Sequence, residues 1–443
     1  MEFLRSLYKN DVDFKALALQ SKELAKYVNS NGQLDFNDPD AVRQLTTSLL
    51  EQDFGLKVEL PTDRLCPPVP NRLNYIIWLH DLVDSSAGTI HGGYDPKSEV
   101  VGLDIGTGCC SIYPLLGCKA RPGWKFVATD IDENNVSTAQ KNVKLNHLES
   151  RIRVIKTDTK DLLFPLEKIE KESLDFTMCN PPFYTSHEEM VQSAEGKQQK
   201  PSSVCTGTDV EMVTSGGEIA FVTKMIEESL HLRTRIQWYT SMLGKFSSVP
   251  VLVEKLIKHG NHNYAVTEFV QGSKTKRWAI AWSWGDHRPA MTAARGIPGF
   301  PKQLLPFPAD YTFTLPSEIS IDSAVASINA ELGSLRWYWS WDKSLSAGVG
   351  FAAENVWSRQ ARRKMKLAGQ EGSYVNLDAV PEDVALGVRI QAKLVRGQSE
   401  TSSTNEVPVL ISWIQGTDSV LFESFCGMLK RKIDASKPQN SEK

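Results

Sequence analysis

An asparagine, two prolines and two aromatic residues directly follow an apolar run in FTMCNPPFYTS, from Phe176 to Ser186. Proline has no N–H for a strand ladder and fixes its own φ, so the predicted strand must end there in a rigid corner. The corner would hold two acceptors side by side, the side-chain oxygen of Asn180 and the carbonyl of Pro181. They could accept both hydrogens of an adenine N6 amine, with Phe183 or Tyr184 stacked on the flipped base. The candidate catalytic residues are Asn180, Pro181, Pro182 and Phe183.

A second candidate site lies in VVGLDIGTGCC, which runs from Val100 to Cys110. A strand that ends in aspartate and turns through two glycines into a helix brings backbone close to a nucleotide. The third glycine of a dinucleotide fingerprint is missing, which favours S-adenosylmethionine over a pyrophosphate cofactor. The motif alone also fits an ordinary tight turn. The candidate cofactor contacts here are Asp104, Gly106, Thr107 and Gly108.

Carboxylates follow the next two predicted strands. Asp130 ends FVATD, and a carboxylate roughly 20 residues beyond the glycine turn can accept hydrogen bonds from both ribose hydroxyls. The alternative role, capping the next helix, suits Asp132 at least as well. Asp158 and Asp161 follow the third strand, where the adenine of the cofactor would lie. They fit solvated loop carboxylates equally well.

From Val100 onward, short β-rich runs alternate with helical patterns, which predicts a parallel, doubly wound α/β sheet. The last two runs, YAVTEFVQ and RWAIAWSW, are joined only by GSKTK, too short for a helical crossover, and must form a hairpin. Seven strands that end in such a hairpin are typical of the class I, Rossmann-like methyltransferase sheet. The predicted strands are VVGLD, KFVATD, RIRVIK, SLDFTMC, RIQWYTSML, YAVTEFVQ and RWAIAWSW.

The segments on either side of this sheet differ in composition. Apolar residues at helical spacing predict helices before it, and six prolines without sustained periodicity predict a linker after it. An aromatic run, a basic helix, two strand candidates and a final helix then predict a small α+β domain. The predicted boundaries are 1–90 for a helical RNA-binding extension, 91–288 for the methyltransferase domain, 289–318 for the linker, 319–435 for a C-terminal RNA-binding domain and 436–443 for a disordered tail.

Composition excludes several classes of protein. The formal net charge of −3 excludes a uniformly basic nucleic-acid binder, so any RNA site must be a local patch. The seven cysteines lack zinc-type spacing, which predicts reduced thiols and no metal site. No apolar run approaches the roughly 18 residues of a membrane span, and we expect neither a secretion signal nor an anchor.

Two basic segments could contact phosphates, although either could equally be a solvated surface run. GSKTKRW lies in the predicted hairpin, and WSRQARRKMK has five basic residues in ten. The loop from Thr185 to Gly217 is polar and much longer than usual connections, which predicts a lid over the substrate. In the second segment the candidate RNA contacts are Arg359, Arg362 and Arg363.

Several further motifs resemble the methyltransferase-like protein 16 family. They are FNDPDAVRQLTTSLLEQDFGL, VPNRLNYIIWLHDL, IYPLLG, PSSVCTG, GGE, WYTSMLGK and EFVQGSKTKRWAIAWS, beside DIGTG and CNPPF. That family makes N6-methyladenosine in U6 spliceosomal RNA, and its bacterial relatives modify an adenosine of 23S ribosomal RNA. The resemblance spans roughly residues 8 to 285 and fades beyond the linker.

The resemblance implies residue roles that motif spacing does not reach. It implies that Arg72, Gly106, Asp130, Asp161 and Asn180 contact S-adenosylmethionine or lie beside it. It implies that RNA meets the segment from Tyr8 to Phe14, the hairpin and parts of the long loop. The implied RNA contacts are Lys9, Lys160, Lys197, Lys200, Lys245, Lys274, Lys276 and Arg277.

The sequence therefore predicts an RNA adenosine N6-methyltransferase that binds structured RNA, with U6 small nuclear RNA as the expected substrate. Two alternatives remain. A protein glutamine N5-methyltransferase uses a similar corner, since a glutamine amide presents the same N–H geometry as adenine N6. An RNA-binding protein with decayed catalysis could act by occupancy alone. We expect a monomer without membrane or metal partners, in the nucleus, with the cytoplasm as the alternative.

Overall fold

The computed structural model describes residues 2–87, 93–189, 207–271, 275–315, 320–367, 376–393, 395–396 and 405–435. The predicted RNA contacts Lys197, Lys200 and Lys274 and the predicted tail at 436–443 lie outside the described residues. The described part of the chain forms two compact units. The first comprises Met1–Val83, Tyr94–Gly285 and Ala293–Leu305, and the second comprises Asp84–Gly93, Asp286–Thr292 and Pro306–Lys443.

The first unit is built on a mixed sheet. Its strand order is β3-β2-β1-β4-β5-β7-β6-β8. The first five strands in that order are parallel, and β7 lies antiparallel between β5 and β6. The predicted doubly wound sheet and terminal hairpin are confirmed, and β8 adds a short strand. The strands are β1 (Val100–Ile105), β2 (Trp124–Asp130), β3 (Ile152–Lys156), β4 (Leu174–Cys179), β5 (Ile236–Leu243), β6 (Tyr264–Gln271), β7 (Thr275–Trp282) and β8 (Arg295–Gly296).

Both faces of this sheet are buried, which explains its near-continuous apolar strands. Alternate residues enter two separate hydrophobic clusters, so that Trp238 belongs to one and Tyr239 to the other. The helices α5 and α6 share the first cluster, and α9 and α10 share the second. The helices are α1 (Glu2–Ser6), α2 (Phe14–Gln20), α3 (Lys22–Ala25), α4 (Pro39–Phe54), α5 (Val69–Ser85), α6 (Ile112–Ala120), α7 (Glu133–Leu145), α8 (Asp209–Met212), α9 (Gly217–Leu232), α10 (Ser248–Lys258) and α11 (Met291–Ala294).

The second unit packs helices against an antiparallel sheet ordered β10-β11-β12-β14-β13, with β9 paired to β14. The indoles of Trp337 and Trp339 stack with ring centroids 5.6 Å apart, and the ring of Trp337 reaches Phe425 at 5.4 Å. This aromatic layer lies in the core of the unit. The elements are β9 (Asp310–Leu315), α12 (Ile321–Gly333), β10 (Tyr338–Asp342), β11 (Ala347–Ala352), α13 (Arg359–Leu367), β12 (Leu386–Ala392), β13 (Val395–Arg396), β14 (Asn405–Gln415) and α14 (Ser419–Ala435).

Residues 289–318, predicted to be a linker, contain regular structure. The helix α11 and the strands β8 and β9 lie in this range, and β9 pairs with β14 over six residues. Pro298, Pro301, Pro306 and Pro308 stand between these elements rather than within them. None of the helices among the described residues is long and apolar enough to cross a membrane.

Gly350 in β11 should be irreplaceable because the ring of Trp337 lies against it. A Cβ at Gly350 would come within 2.2 to 2.7 Å of three atoms of that fully buried ring. We expect Gly350→Ala to destabilise the second unit by about 1–3 kcal/mol, as overpacked cores do, measured by urea unfolding. Trp337→Phe should restore part of the loss. Gly427→Ala, at an open position of α14 in the same unit, should not destabilise it; equal losses at the two glycines would contradict this account.

Candidate active site

The candidate site lies where the central strands of the first unit end. Ile105 of β1 is in register with Thr129 of β2 and with Cys179 of β4. The loops that leave these three parallel strands therefore begin at one edge of the sheet, the usual place of ligand sites in such folds. A cavity of about 530 Å³ opens there.

The turn after β1 forms one wall of the cavity. Gly106 and Gly108 have φ of +70° and +65°, a backbone conformation that favours glycine, and both line the cavity. The amides of Gly106 and Thr107 both donate to the carbonyl of Thr129 at 2.9 Å, which closes the turn. A Cβ at either glycine would meet no protein atom within 4 Å. The turn thus leaves room for a ligand directly against its backbone, which fits a nucleoside cofactor.

Asp130 stands at the end of β2 and lines the same cavity. One carboxylate oxygen accepts from the amide of Gly108 at 2.8 Å, and the other accepts from the amide of Asp132 at 3.0 Å. Burial raises the pKa of Asp130, against the effect of these hydrogen bonds. The helix cap is Asp132, whose side chain accepts from the first turn of α7. Asp130 is therefore free of the capping role and braces the glycine turn beside the cavity.

Asp104 lies behind the cavity wall rather than in it. Its side chain is fully buried, and neither carboxylate oxygen has a hydrogen-bond partner among the described residues. Burial raises the pKa of Asp104 to about 7, and the charge of Asp130 adds to the effect. Among the eight predicted cofactor residues it is the one that does not line the cavity.

Asp158 and Asp161 line the cavity on the side of β3. The carboxylate of Asp161 accepts from the amide of Asp158 at 2.8 Å and from Lys168 Nζ at 2.6 Å. The hydrogen bond with Lys168 lowers the pKa of Asp161. Asp161 thus shapes its own loop and remains ionised beside the cavity.

The corner after β4 forms the opposite wall. Asn180 and Pro182 line the cavity, and Pro181 is buried beneath it. Arg72 Nη1 of α5 donates to Asn180 Oδ1 at 3.1 Å. The guanidinium of Arg72 is itself buried, against Met242 and over the ring of Tyr113. Because a guanidinium only donates, this contact holds the oxygen of the Asn180 amide toward the cavity wall.

The aromatic residues of the corner have different neighbours. The guanidinium carbon of Arg277 lies 5.6 Å from the ring centroid of Phe183. Burial lowers the pKa of Arg277, and the positive charge of Arg72 adds to the effect. Tyr184 is instead held by its backbone, which bonds to Met212 and Thr214 in a parallel bridge.

Glu218 of the GGE motif joins the corner to the loop after β5. Its buried carboxylate accepts from the amides of Gly244 at 2.6 Å and Lys245 at 3.1 Å, and from the hydroxyl of Ser248. The ring of Phe183 lies against Gly244, where a Cβ would come within 2.9 Å of it. Glu218 therefore fixes the surface on which Phe183 packs.

Motif spacing missed Arg72, Asn135, Glu211 and Glu218. Arg72 came only from the family resemblance, and its helix gives no signal beyond one cation in an apolar run. A signal for Glu211 does exist, since Thr208 and Glu211 have the T-x-x-E spacing of a capping box. That spacing predicts a helix start but none of the long-range contacts that Glu211 makes.

The predicted RNA contacts occupy three kinds of position. Lys9 lines a polar cavity of about 660 Å³ beside Arg5 and Asn74. Lys245 pairs with Glu189 at 2.7 Å, and Lys276 pairs with Glu268 at 3.2 Å. Lys160, Arg359 and Arg363 are exposed, as are Lys9, Lys245 and Lys276, whereas Arg362 is half-buried, bonds to Glu331 and anchors α13.

Within the ranges that the structure describes, no group of three or more His, Cys, Asp or Glu side chains could hold a metal ion. The polar residues that line the cavity include one arginine, one lysine, two asparagines, four carboxylates and several serines and threonines.

Comparison with known proteins gives this geometry a context. A family model described as RNA methyltransferase matches residues 3–286. The U6 small nuclear RNA (adenine-(43)-N(6))-methyltransferase of Schizosaccharomyces pombe is 37% identical over 92% of this chain and 97% of its own length. The hMettl16 catalytic domain in complex with a MAT2A 3′UTR hairpin is 40% identical over 63% of this chain and 94% of its own, with a TM-score of 0.55. The N-terminal domain of human METTL16 in complex with SAH is 39% identical over 64% of this chain and 98% of its own, with a TM-score of 0.52.

Burial of Asp104 should make stability depend on pH. Its pKa of about 7 in the folded state exceeds the value near 3.9 of an unfolded chain, so the folded state binds the extra proton between these values. Its contribution to stability therefore falls as pH rises from about 4 to 7. We expect Asp104→Asn to gain unfolding free energy relative to the wild type at pH 8 but not at pH 4, measured by urea unfolding without cofactor. Parallel pH profiles of the two proteins would contradict this.

Proposed function

This chain belongs to the RNA methyltransferase family, and we propose that it methylates N6 of an adenosine in U6 small nuclear RNA. It is an RNA adenine-N6 methyltransferase that uses S-adenosylmethionine. The choice of U6 is supported by the fission yeast relative, which acts on that RNA and aligns with this chain over nearly the full length of both. Nuclear residence follows from that substrate.

The assignment of roles to individual residues rests on one observation. The Asn180 corner and the glycine turn border a single cavity. Arg72, Gly106, Thr107, Gly108, Asp130, Asp161 and Asn180 are the cavity-lining residues proposed to hold the cofactor. When bound, S-adenosylmethionine supplies an electrophilic methyl group on a sulfonium. The carboxylates of Asp130 and Asp161 suit its hydroxyls and positive charge, whereas Asp104 lies behind the wall and does not line the cavity.

The corner residues bind the nucleophile. Adenine N6 is a weak nucleophile because its lone pair is delocalised into the ring. Oδ1 of Asn180 accepts one hydrogen bond from Arg72 and has a second lone pair for an N6 hydrogen. The carbonyl of Pro181 accepts the other hydrogen. These bonds turn the amine toward the methyl group, so that catalysis is mainly positioning, without a covalent enzyme intermediate.

Phe183 is the better residue to stack on the flipped adenine. Its ring lies against Gly244, the guanidinium carbon of Arg277 is 5.6 Å from its centroid, and it follows Asn180 by three residues. The backbone of Tyr184 is instead held in the parallel bridge with Val213. Arg277 therefore acts at the corner, where its charge faces the ring that receives the base.

The two alternatives are less well supported. A glutamine amide would fit the same acceptor pair, but the family and the relatives named above are RNA enzymes. Decayed catalysis is disfavoured because the corner, the glycine turn and the cavity are all intact. Since the cavity and the corner come from one chain, we propose that a monomer suffices.

We propose that RNA also contacts basic residues on each of the two units. Lys9, Lys160, Lys245 and Lys276 supply cations on the first unit, and α13 supplies Arg359 and Arg363 on the second. The partly buried ion pair of Arg362 with Glu331 holds α13 in place, so its neighbours can face a phosphate backbone. The first unit would then select the adenosine, and the second would add affinity for structured RNA.

Removing the Asn180 amide should stop methyl transfer without releasing RNA. We expect Asn180→Ala to lower kcat by on the order of 100-fold or more, comparable with the loss of one preorganised catalytic dipole. RNA affinity should stay within a few-fold, measured by labelled methyl transfer and by filter binding. As a matched control, Asn261→Ala removes a buried amide that bonds Ser283 and Asn263. It should lower the melting temperature but not kcat, and equal loss of activity and RNA binding in Asn180→Ala would contradict the role.

Reversing charges on α13 should weaken RNA binding and reduce its dependence on salt. We expect Arg359→Glu with Arg363→Glu to make the slope of log K against log salt shallower by about 0.9 for each lost phosphate contact on duplex RNA, by analogy with duplex DNA. Titrations at several salt concentrations measure it. Lys343→Glu with Lys393→Glu makes the same charge change elsewhere in the unit and should leave the slope unchanged. A wild-type slope in the α13 variant would place the contacts elsewhere.

A further inference from the structure

Glu211 belongs both to the cavity wall and to the segment that supports the catalytic corner. We propose that Glu211 is a positioning residue through which occupancy of the cofactor cavity fixes the corner for the incoming adenine. The inference rests on the proposed cofactor role of that cavity and adds a link from it to the base site.

On the cavity side, the carboxylate of Glu211 accepts hydrogen bonds from three separate parts of the chain. Its Oε2 accepts from the backbone amide of Leu65 at 3.1 Å and from that of Thr208 at 3.0 Å. Its Oε1 accepts from Asn135 Nδ2 of α7 at 3.4 Å. Leu65, Asn135 and Glu211 all line the cavity. A local capping box would bind Thr208 alone, so the contacts with Leu65 and Asn135 exceed a helix cap.

The same hydrogen bonds continue to the glycine turn. The side-chain nitrogen of Asn135 also donates to Asp130 Oδ1 at 3.4 Å, and Asp130 Oδ2 accepts from the amide of Gly108 at 2.8 Å. Asp130 and Glu211 therefore share one amide donor across the cavity wall. Two like charges so placed repel, and the charge of Glu211 contributes to the raised pKa of Asp130. A ligand that brings hydroxyl donors to these carboxylates relieves the repulsion and stabilises the bridged arrangement.

On the other side, the residues that follow Glu211 hold the corner. The carbonyl of Met212 accepts from the amide of Tyr184 at 3.0 Å, and the amide of Thr214 donates to the carbonyl of Tyr184 at 2.9 Å. Tyr184 follows Phe183 directly. The position of the segment from Glu211 to Thr214 therefore sets the position of the corner backbone.

Through these contacts, binding of the cofactor stabilises the position of the corner that binds the base. Ligand donors in the cavity hold Asp130, Asn135 and Glu211 together, and Glu211 then holds the bridge to Tyr184. By thermodynamic linkage, an adenine that fixes the corner also tightens cofactor binding by the same factor.

Hydrogen exchange of the full chain, with and without S-adenosylhomocysteine, tests the link. In the wild type we expect the ligand to slow exchange in the turn at 106–110 and also at 182–186 and 212–216. Glu211→Gln keeps the size of the side chain, but its amide cannot accept on both sides. We expect the ligand to slow exchange of the turn in this variant as it does in the wild type. At the corner, we expect the ligand-induced slowing of exchange to be at least about threefold smaller than in the wild type.

Two further variants make the test specific. Asn135→Ala cuts the same hydrogen-bonded chain from the other side and should have the same effect, without an added loss in the double variant. If Glu211→Gln does not unfold cooperatively, Asn135→Ala alone still tests the link. Asp175→Asn removes a carboxylate that accepts from the amide of Val101 at 2.6 Å, at the opposite end of β4, and should behave as the wild type.

The outcomes separate the two proposals. Lack of ligand protection at the turn in the wild type would overturn the cofactor role of the cavity itself. Protection of the turn, with equal corner protection in the wild type and in both Glu211→Gln and Asn135→Ala, would overturn the link and leave the cofactor site standing. Selective loss at the corner in these variants supports it.

Discussion

The contact between Arg72 and Asn180 is the interaction on which the site depends. In the mechanism proposed above, Asn180 presents its amide oxygen to the base, although an amide can turn either end toward a ligand. The guanidinium of Arg72 removes that freedom because it can only donate. The contact joins the N-terminal helix α5 to the end of β4, so the catalytic corner requires the helical extension as well as the sheet. The apolar residues of α5 bury this helix along nearly its whole length, which fixes the position of Arg72.

Local sequence could predict those parts of the site that are set by backbone chemistry. Two prolines stop β4 wherever the chain goes, and two glycines permit the turn after β1, so both motifs were predictable without a structure. Arg72, Glu211 and Glu218 act through partners more than 20 residues away, and no local pattern reveals such partners. The strand β9 was hidden for a different reason: the flanking prolines gave its surroundings the composition of a linker, and its pairing with β14 is nonlocal.

The charged side chains of the protein differ between the cavity proposed for the cofactor and the surfaces proposed for RNA. Four carboxylates line the cavity proposed for the cofactor, beside Arg72 and Lys224, while further cations stand on the surfaces proposed for RNA. Buried carboxylates without cationic partners cost stability, as the raised pKa values of Asp104 and Asp130 show. Because Asp130 lines the cavity, hydrogen-bond donors of a bound cofactor can offset its burial cost, and such perturbed carboxylates are common in active sites.

The stacked indoles in the core of the second unit have a practical consequence. Trp337 and Trp339 lie with their ring planes 1° apart, close enough for their electronic transitions to couple. Coupled indoles contribute an exciton signal to far-ultraviolet circular dichroism, and this signal is lost when unfolding separates the two rings. The second unit thus carries its own optical label, and its folding can be followed within the intact chain while the first unit remains engaged with RNA.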